Sequence, residues 1–152
     1  MAADDDVPRL LAVDLGLACG FACFALGSAP RLLWYRSQRF GSIAKLKAAV
    51  APVLNDAAPL ATLVVEGDRH LGDIWGKLAE KRGAIVRRVP PEEWRKALLL
   101  PRQQRHGSDA KAAAIDLARE AIDNSGAPRP KTPLSDDVAE AICIGLYGVT
   151  LR

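Results

Sequence analysis

The sequence predicts an α/β fold built on a five-stranded mixed sheet flanked by helices. Three strand-like runs come first, separated only by short turns, and from residue 42 onward helical and strand-like segments alternate. The runs Leu10-Leu11-Ala12-Val13 and Leu63-Val64-Val65 are also short, continuous and apolar, as strands covered on both faces are.

Each element has its own local reason. Residues 1–8, with Asp4-Asp5-Asp6, read as a loose acidic tail, and 9–152 as one domain long enough to bury a core. Residues 10–14 form the first strand and 20–26 the second, which turns at Gly27-Ser28-Ala29-Pro30 into a third over 31–36. Ser42 caps a helix to about residue 54, with Ile43, Leu46, Val50, Val53 and Leu54 on one face. Residues 61–65 are the fourth strand. A helix over 71–81 ends at Gly83, and a fifth strand over 84–89 stops at Pro90-Pro91. Those prolines start a short helix over 92–99, since proline suits a first helical turn. Residues 101–107 read as a polar loop, and Ser108 caps a helix to about residue 124. The proline-rich stretch 126–133 is an extended connector, and the last helix starts near Ser135.

Composition narrows the function classes. The net charge of +3 is mild, but from Lys77 to Lys111 ten Lys or Arg stand against four Asp or Glu. Such a stretch suits a polyanion held by its backbone, and equally a solvated basic face. Three cysteines with no paired pattern point to a reducing, cytoplasmic compartment, and Cys19, Cys23 and Cys143 lack zinc-knuckle spacing. No secretory signal is visible, and the longest hydrophobic stretch, 10–26, carries Asp14 and two glycines, which argues against a membrane span.

The carboxylates carry the chemistry. The first strand ends in Asp14, the fourth ends in Glu66, and Asp136-Asp137-Val138-Ala139-Glu140 opens the last helix. A charge at the end of a buried strand is costly without a partner. Three such placements suggest acids gathered round a hard cation, magnesium above all, with oxygen ligands and substrate phosphates. Asp137 and Glu140, three apart on a helix, share a face. Other readings exist. Acids in a first helical turn complement the helix dipole, Asp137-x-x-Glu140 matches a capping box, and Asp14 or Glu66 could pair with Arg69 or Arg87. No Ser-His or Cys-His arrangement is visible, and His70 and His106 read as surface loop residues. Trp75 and Trp94, on amphipathic helices, read as core, as do Phe21, Phe24, Trp34 and Tyr35 on strands.

Five segments in order resemble the ribonuclease H-like superfamily, and within it the phage-like branch of the RuvC-type Holliday junction resolvases. Residues 13–22, Val-Asp-Leu-Gly-Leu-Ala-Cys-Gly-Phe-Ala, are similar to that branch's opening D-x-G-x-x-x-G-aromatic-A motif, and Val64-Val65-Glu66 to its strand-end glutamate. Val89-Pro90-Pro91-Glu92-Glu93-Trp94-Arg95-Lys96 resembles its V-P-P-x-x-W-[KR]-K segment. Asp109-Ala110-Lys111 is similar to its lysine-bearing helix start, and Asp137-Val138-Ala139-Glu140-Ala141 to its terminal D-x-x-D-A. The chain departs from the pattern in placing Glu140 where the family has a second aspartate, and in the short segment between Glu66 and Val89.

The resemblance implies a ribonuclease H-like fold and a magnesium-dependent endonuclease acting on four-way DNA junctions. It also implies a homodimer, because a two-fold symmetric junction needs paired nicks. The expected reaction is phosphodiester hydrolysis with two Mg2+ about 4 Å apart, for which Mn2+ can substitute. Asp14 is the expected bridging ligand. Glu66 and Asp137 (or Asp136 in its place) would each hold one metal, with Glu140 completing the second site. Four clustered carboxylates repel, so without metal at least one should have a raised pKa. Arg87, Arg88, Arg95, Lys96, Arg102, Arg105 and Lys111 would grip DNA, with Lys111 nearest the site. Nothing resembles a base-reading helix, so branched shape rather than sequence is the expected cue. The alternatives are a nuclease of the same chemistry on other branched DNA or RNA–DNA hybrids, and a catalytically silent nucleic-acid-binding domain of the same fold.

Overall fold

The computed structural model describes residues 5–151. Its strands are β1 (Arg9–Asp14), β2 (Ala18–Ala25), β3 (Arg31–Arg39), β4 (Leu60–Glu66) and β5 (Ile85–Arg88). Its α-helices are α1 (Ile43–Asp56), α2 (Arg69–Lys81), α3 (Pro91–Leu98), α4 (Gly107–Ser125) and α5 (Asp136–Gly148). The strands form one sheet in the order β3-β2-β1-β4-β5. β1–β2 and β2–β3 pair antiparallel, whereas β1–β4 and β4–β5 pair parallel. This is the mixed sheet expected. The hairpin-linked strands run antiparallel because short turns reverse the chain, and the later ones run parallel because a helix returns it.

Both faces of the sheet are covered, which accounts for the unbroken apolar runs. On β1, Leu11 and Val13 pack with Leu46, Val50, Val53 and Leu54 of α1 and Trp75 of α2. Leu10 and Ala12 pack on the opposite side with Trp94 of α3, Ala114 and Ala118 of α4 and Ile142 of α5. Side chains alternate along a strand, so Asp14 follows Ala12, and Glu66 follows Val64, onto the α5 face.

Helix α5 reaches that face closely because three positions have no side chain. A Cβ on Gly20 of β2 would lie 1.9 Å from the Asp137 carbonyl oxygen. One on Gly145 would lie 2.1 Å from the Phe24 ring, and one on Gly148 3.0 Å from Val64 Cγ2. Glycine at Gly20 therefore sets how near the first turn of α5 comes to the strands.

Several boundaries differ from the expectations. β3 extends three residues further, through Ser37, Gln38 and Arg39, because an edge strand can carry polar residues and still pair with Ala18–Gly20 of β2. α2 begins two residues earlier, at Arg69, since Asp68 Oδ1 accepts from the Leu71 amide at 2.9 Å. Residues 101–107 are not wholly loop: Pro101–Gln104 form a 3-10 turn, and α4 starts at Gly107 with His106 rather than Ser108 at its N-cap. Ser42 caps α1 as expected, and Ser135, near the expected start of the last helix, caps α5; they accept from the Lys45 and Val138 amides at 3.2 and 3.3 Å. Of the expected tail, residues 1–4 lie outside the described residues.

Candidate active site

Parallel pairing brings the first two acids together. Asp14 and Glu66 are register partners at the ends of β1 and β4, and Leu15 N donates to Glu66 O at 2.8 Å just beyond them. Gly67, next in the chain, has φ +122, a backbone conformation that favours glycine, so β4 turns away immediately after its carboxylate. α5 supplies the third acid. One carboxylate oxygen each from Asp14, Glu66 and Glu140 lies within 4.8 Å of the others, the one such group among the described residues.

Glu66 is the buried acid of the set, at 8% exposure, while Asp14 and Glu140 are half-buried. Burial is the main cause pushing the Asp14 pKa up, to about 8, and the charges of Glu140, Glu66 and Asp137 add to it. The side-chain contact with Glu140 raises it further. Glu66 is also pushed up, first by burial and then by Glu140 and Glu92, while Trp94 and Arg95 oppose the shift. The cluster therefore holds more negative charge than it can stabilise unaided, the expected consequence of gathering these acids.

The helical acids separate by position. Asp137 falls outside the 4.8 Å group, although its charge acts on Asp14. Asp136 is exposed and pairs with Lys111 of α4 at 3.5 Å. The capping-box reading of Asp137 and Glu140 fails, because Ser135 is the N-cap and Glu140 lies beyond the first turn. The pairing of a buried acid with Arg69 or Arg87 also fails among the described residues. The hydrogen-bond donor to Glu66 is the Trp94 indole, Nε1 to Oε2. Arg95 approaches Glu140 instead, Nη2 to Oε1 at 3.7 Å, with its guanidinium carbon 5.4 Å from the centre of the Trp94 ring.

Trp94 is fully buried, as the core reading expected, but that reading missed its polar role. The available signal was its indole N–H, a donor that usually finds a partner when buried.

The basic residues spread over β5, α3, the 3-10 turn and α4. Arg87, Arg88, Lys96, Arg102, Arg105 and Lys111 are exposed, and Arg95 is half-buried. Arg88 pairs with Asp73 and, with Arg69, lines a groove of about 480 Å³ that runs from Glu66 to Pro90 and Pro91. His70 and His106 are exposed and join no metal-ligating group among the described residues. The three cysteines are buried and free, and Cys19 Sγ donates to Gly16 O at 3.0 Å.

Comparison with solved structures identifies the fold. T. thermophilus RuvC, in complex with a Holliday junction substrate, superposes with a TM-score of 0.64 at 19% identity over 95% of each chain. The fowlpox virus Holliday junction resolvase superposes with a TM-score of 0.71 at 15% identity, over 95% of this chain and 99% of that one. The chain has their fold, ribonuclease H-like. A second fowlpox structure, bound to substrate Holliday junction DNA, matches at a TM-score of 0.63 and 16% identity over 94% of this chain. No protein-family model and no curated protein sequence matches the chain. In this ribonuclease H-like frame Asp14 and Glu66 sit at the ends of the adjacent parallel strands β1 and β4, and Glu140 meets them from the last helix. No helix among the described residues is long and apolar enough to cross a membrane.

Proposed function

We propose that this protein is a magnesium-dependent endonuclease that cuts DNA at four-way junctions. The observation that carries the reading is the convergence of Asp14, Glu66 and Glu140 within 4.8 Å. An all-carboxylate donor set that repels itself fits a hard divalent cation. The fold shared with two junction resolvases over nearly the whole chain supports the choice of substrate.

In this proposal Asp14, Glu66 and Glu140, whose carboxylate oxygens converge, would hold the cation, with Asp14 as the shared ligand and Asp137 adding negative charge beside it. Mg2+ bound there would promote ionisation of a water and stabilise the leaving oxygen of the phosphodiester. Glu66 accepts from the buried Trp94 indole and forms one wall of the site. Arg95, Arg88 and Lys111, spread around the cluster on three elements, neutralise backbone phosphates with Arg87, Lys96, Arg102 and Arg105 further along the duplex arms. Residues 9–152 act as one nuclease domain, and a homodimer places two sites on one junction.

Cleavage of an end-labelled four-way junction in Mg2+, comparing wild type with Asp14→Asn, tests the proposal. Symmetric nicks from wild type alone are expected. Cutting confined to flaps or RNA–DNA hybrids would keep the chemistry and discard the junction. Binding without cutting, in Mg2+ or Mn2+, would leave a nucleic-acid-binding domain.

A further inference from the structure

Two tryptophans are fully buried on either side of the sheet, and their indole N–H groups are treated differently. Trp75 Nε1 is buried with no hydrogen-bond partner among the described residues. Trp94 Nε1 donates to Oε2 of Glu66, the buried carboxylate of the candidate metal site. Packing alone thus fills a core position with tryptophan without needing its donor, and the Trp94 contact calls for a separate reason.

That reason follows from what a buried metal ligand requires. A carboxylate out of water loses solvation and needs a donor. An arginine or lysine would supply one, but its positive charge would neutralise the acid and compete with an incoming cation. The indole is neutral. It holds one oxygen of Glu66 in place and leaves Oε1 with no donor among the described residues. The donor is itself fixed, because α3 starts from Pro90-Pro91 and its only fully buried residue is Trp94, packed among Leu10, Val64 and Ile142. Arg95, the next residue, lies over the ring and faces Glu140. Helix α3 therefore touches two of the three clustered acids, the charged contact being the longer, more exposed one.

We infer that Trp94 is a positioning residue for the metal centre: its indole N–H fixes the Glu66 carboxylate as a ligand without adding competing charge. The inference rests on the metal-site reading above. Loss of such an outer partner of a ligand typically weakens metal binding ten- to a hundredfold.

The test is calorimetric titration of Mn2+ into the full chain without DNA, for wild type, Trp94→Phe and Trp75→Phe. Thermal unfolding in EDTA checks that each variant is folded. Trp94→Phe is expected to bind Mn2+ about ten- to a hundredfold more weakly, and Trp75→Phe to match wild type. Junction cleavage by Trp94→Phe should then need correspondingly more Mg2+ for half-saturation and recover most of its rate once saturated. Unchanged Mn2+ affinity in a folded Trp94→Phe would overturn the inference while leaving the metal site standing. No Mn2+ binding by wild type would instead overturn the metal-site reading and the inference with it.

Should Trp94→Phe fail to fold, the wild type still decides. The three indole N–H resonances can be assigned with Trp34→Phe and Trp75→Phe, and Mg2+ added. The Trp94 signal should shift while the Trp75 signal stays, and a stationary Trp94 signal would overturn the inference.

Discussion

Replacing Asp14 with asparagine should stabilise the metal-free protein, and the size of the effect should depend on pH. The folded state holds the Asp14 proton to about pH 8, against an ordinary value of 3.8, so between those limits folding takes up a proton. Stability contributed by the protonated acid is complete below about pH 4 and is lost as pH rises through about 8. At ~1.4 kcal/mol per pH unit the ceiling is ~6 kcal/mol at pH 8. Asp14 is only half-buried, and solvent screening reduces this to about 1–3 kcal/mol. For a chain of this size that is roughly 3–10 °C in Tm. The assay is thermal unfolding of wild type and Asp14→Asn in EDTA at pH 5 and pH 8. Asp14→Asn should be the more stable at both, by a larger margin at pH 8 than at pH 5. Adding Mg2+ at ten times its Kd should return ~1.4 kcal/mol to wild type and nothing to the variant. Equal stability at pH 8, or the same margin at both pH values, would refute the argument that Asp14 is held in a self-repelling cluster.

Three further outcomes follow from the geometry. Glu140→Gln should abolish calorimetric Mn2+ binding while Asp137→Asn retains most of it, because only Glu140 lies within 4.8 Å of Asp14 and Glu66. Gly20→Ala should cost about 1–3 kcal/mol by denaturant unfolding and suppress junction cleavage, since its Cβ would meet the Asp137 carbonyl at 1.9 Å and push α5 from the strands. Arg95→Gln should lower junction affinity, measured in EDTA, and reduce the slope of log affinity against log salt by about 0.9, as loss of one phosphate contact does.

The sheet and its two carboxylates were legible because strands report their environment locally. An apolar run ending in an acid marks both a buried strand and its end, and the parallel register then sets Asp14 opposite Glu66. The helical ligand was not legible in the same way. From Val138 to Gly145 every residue of α5 except Glu140 is buried. A helix apolar on nearly all sides has no hydrophobic face from which to read its rotation. The three-residue spacing of Asp137 and Glu140 put both in the expected site, Glu140 among its ligands, and left open only the choice between Asp136 and Asp137; reach along the side chain separates the three. Side chains on a helix tilt toward its N-terminus, so a residue one turn inside can reach back to the strand ends. Glutamate in place of aspartate at Glu140 lengthens that reach by one methylene, and Glu140 is the helical acid that joins the cluster. Asp136, at the first position of the helix, is free to meet Lys111 in solvent. The Trp94 contact was hidden for a related reason. Burial and helical spacing give the same pattern for a tryptophan that only packs and for one that also donates, and Trp75 and Trp94 differ only in what lies beyond the ring edge. A carboxylate at the end of β4 fixes that difference, and it lies 28 residues away in the chain, on another element.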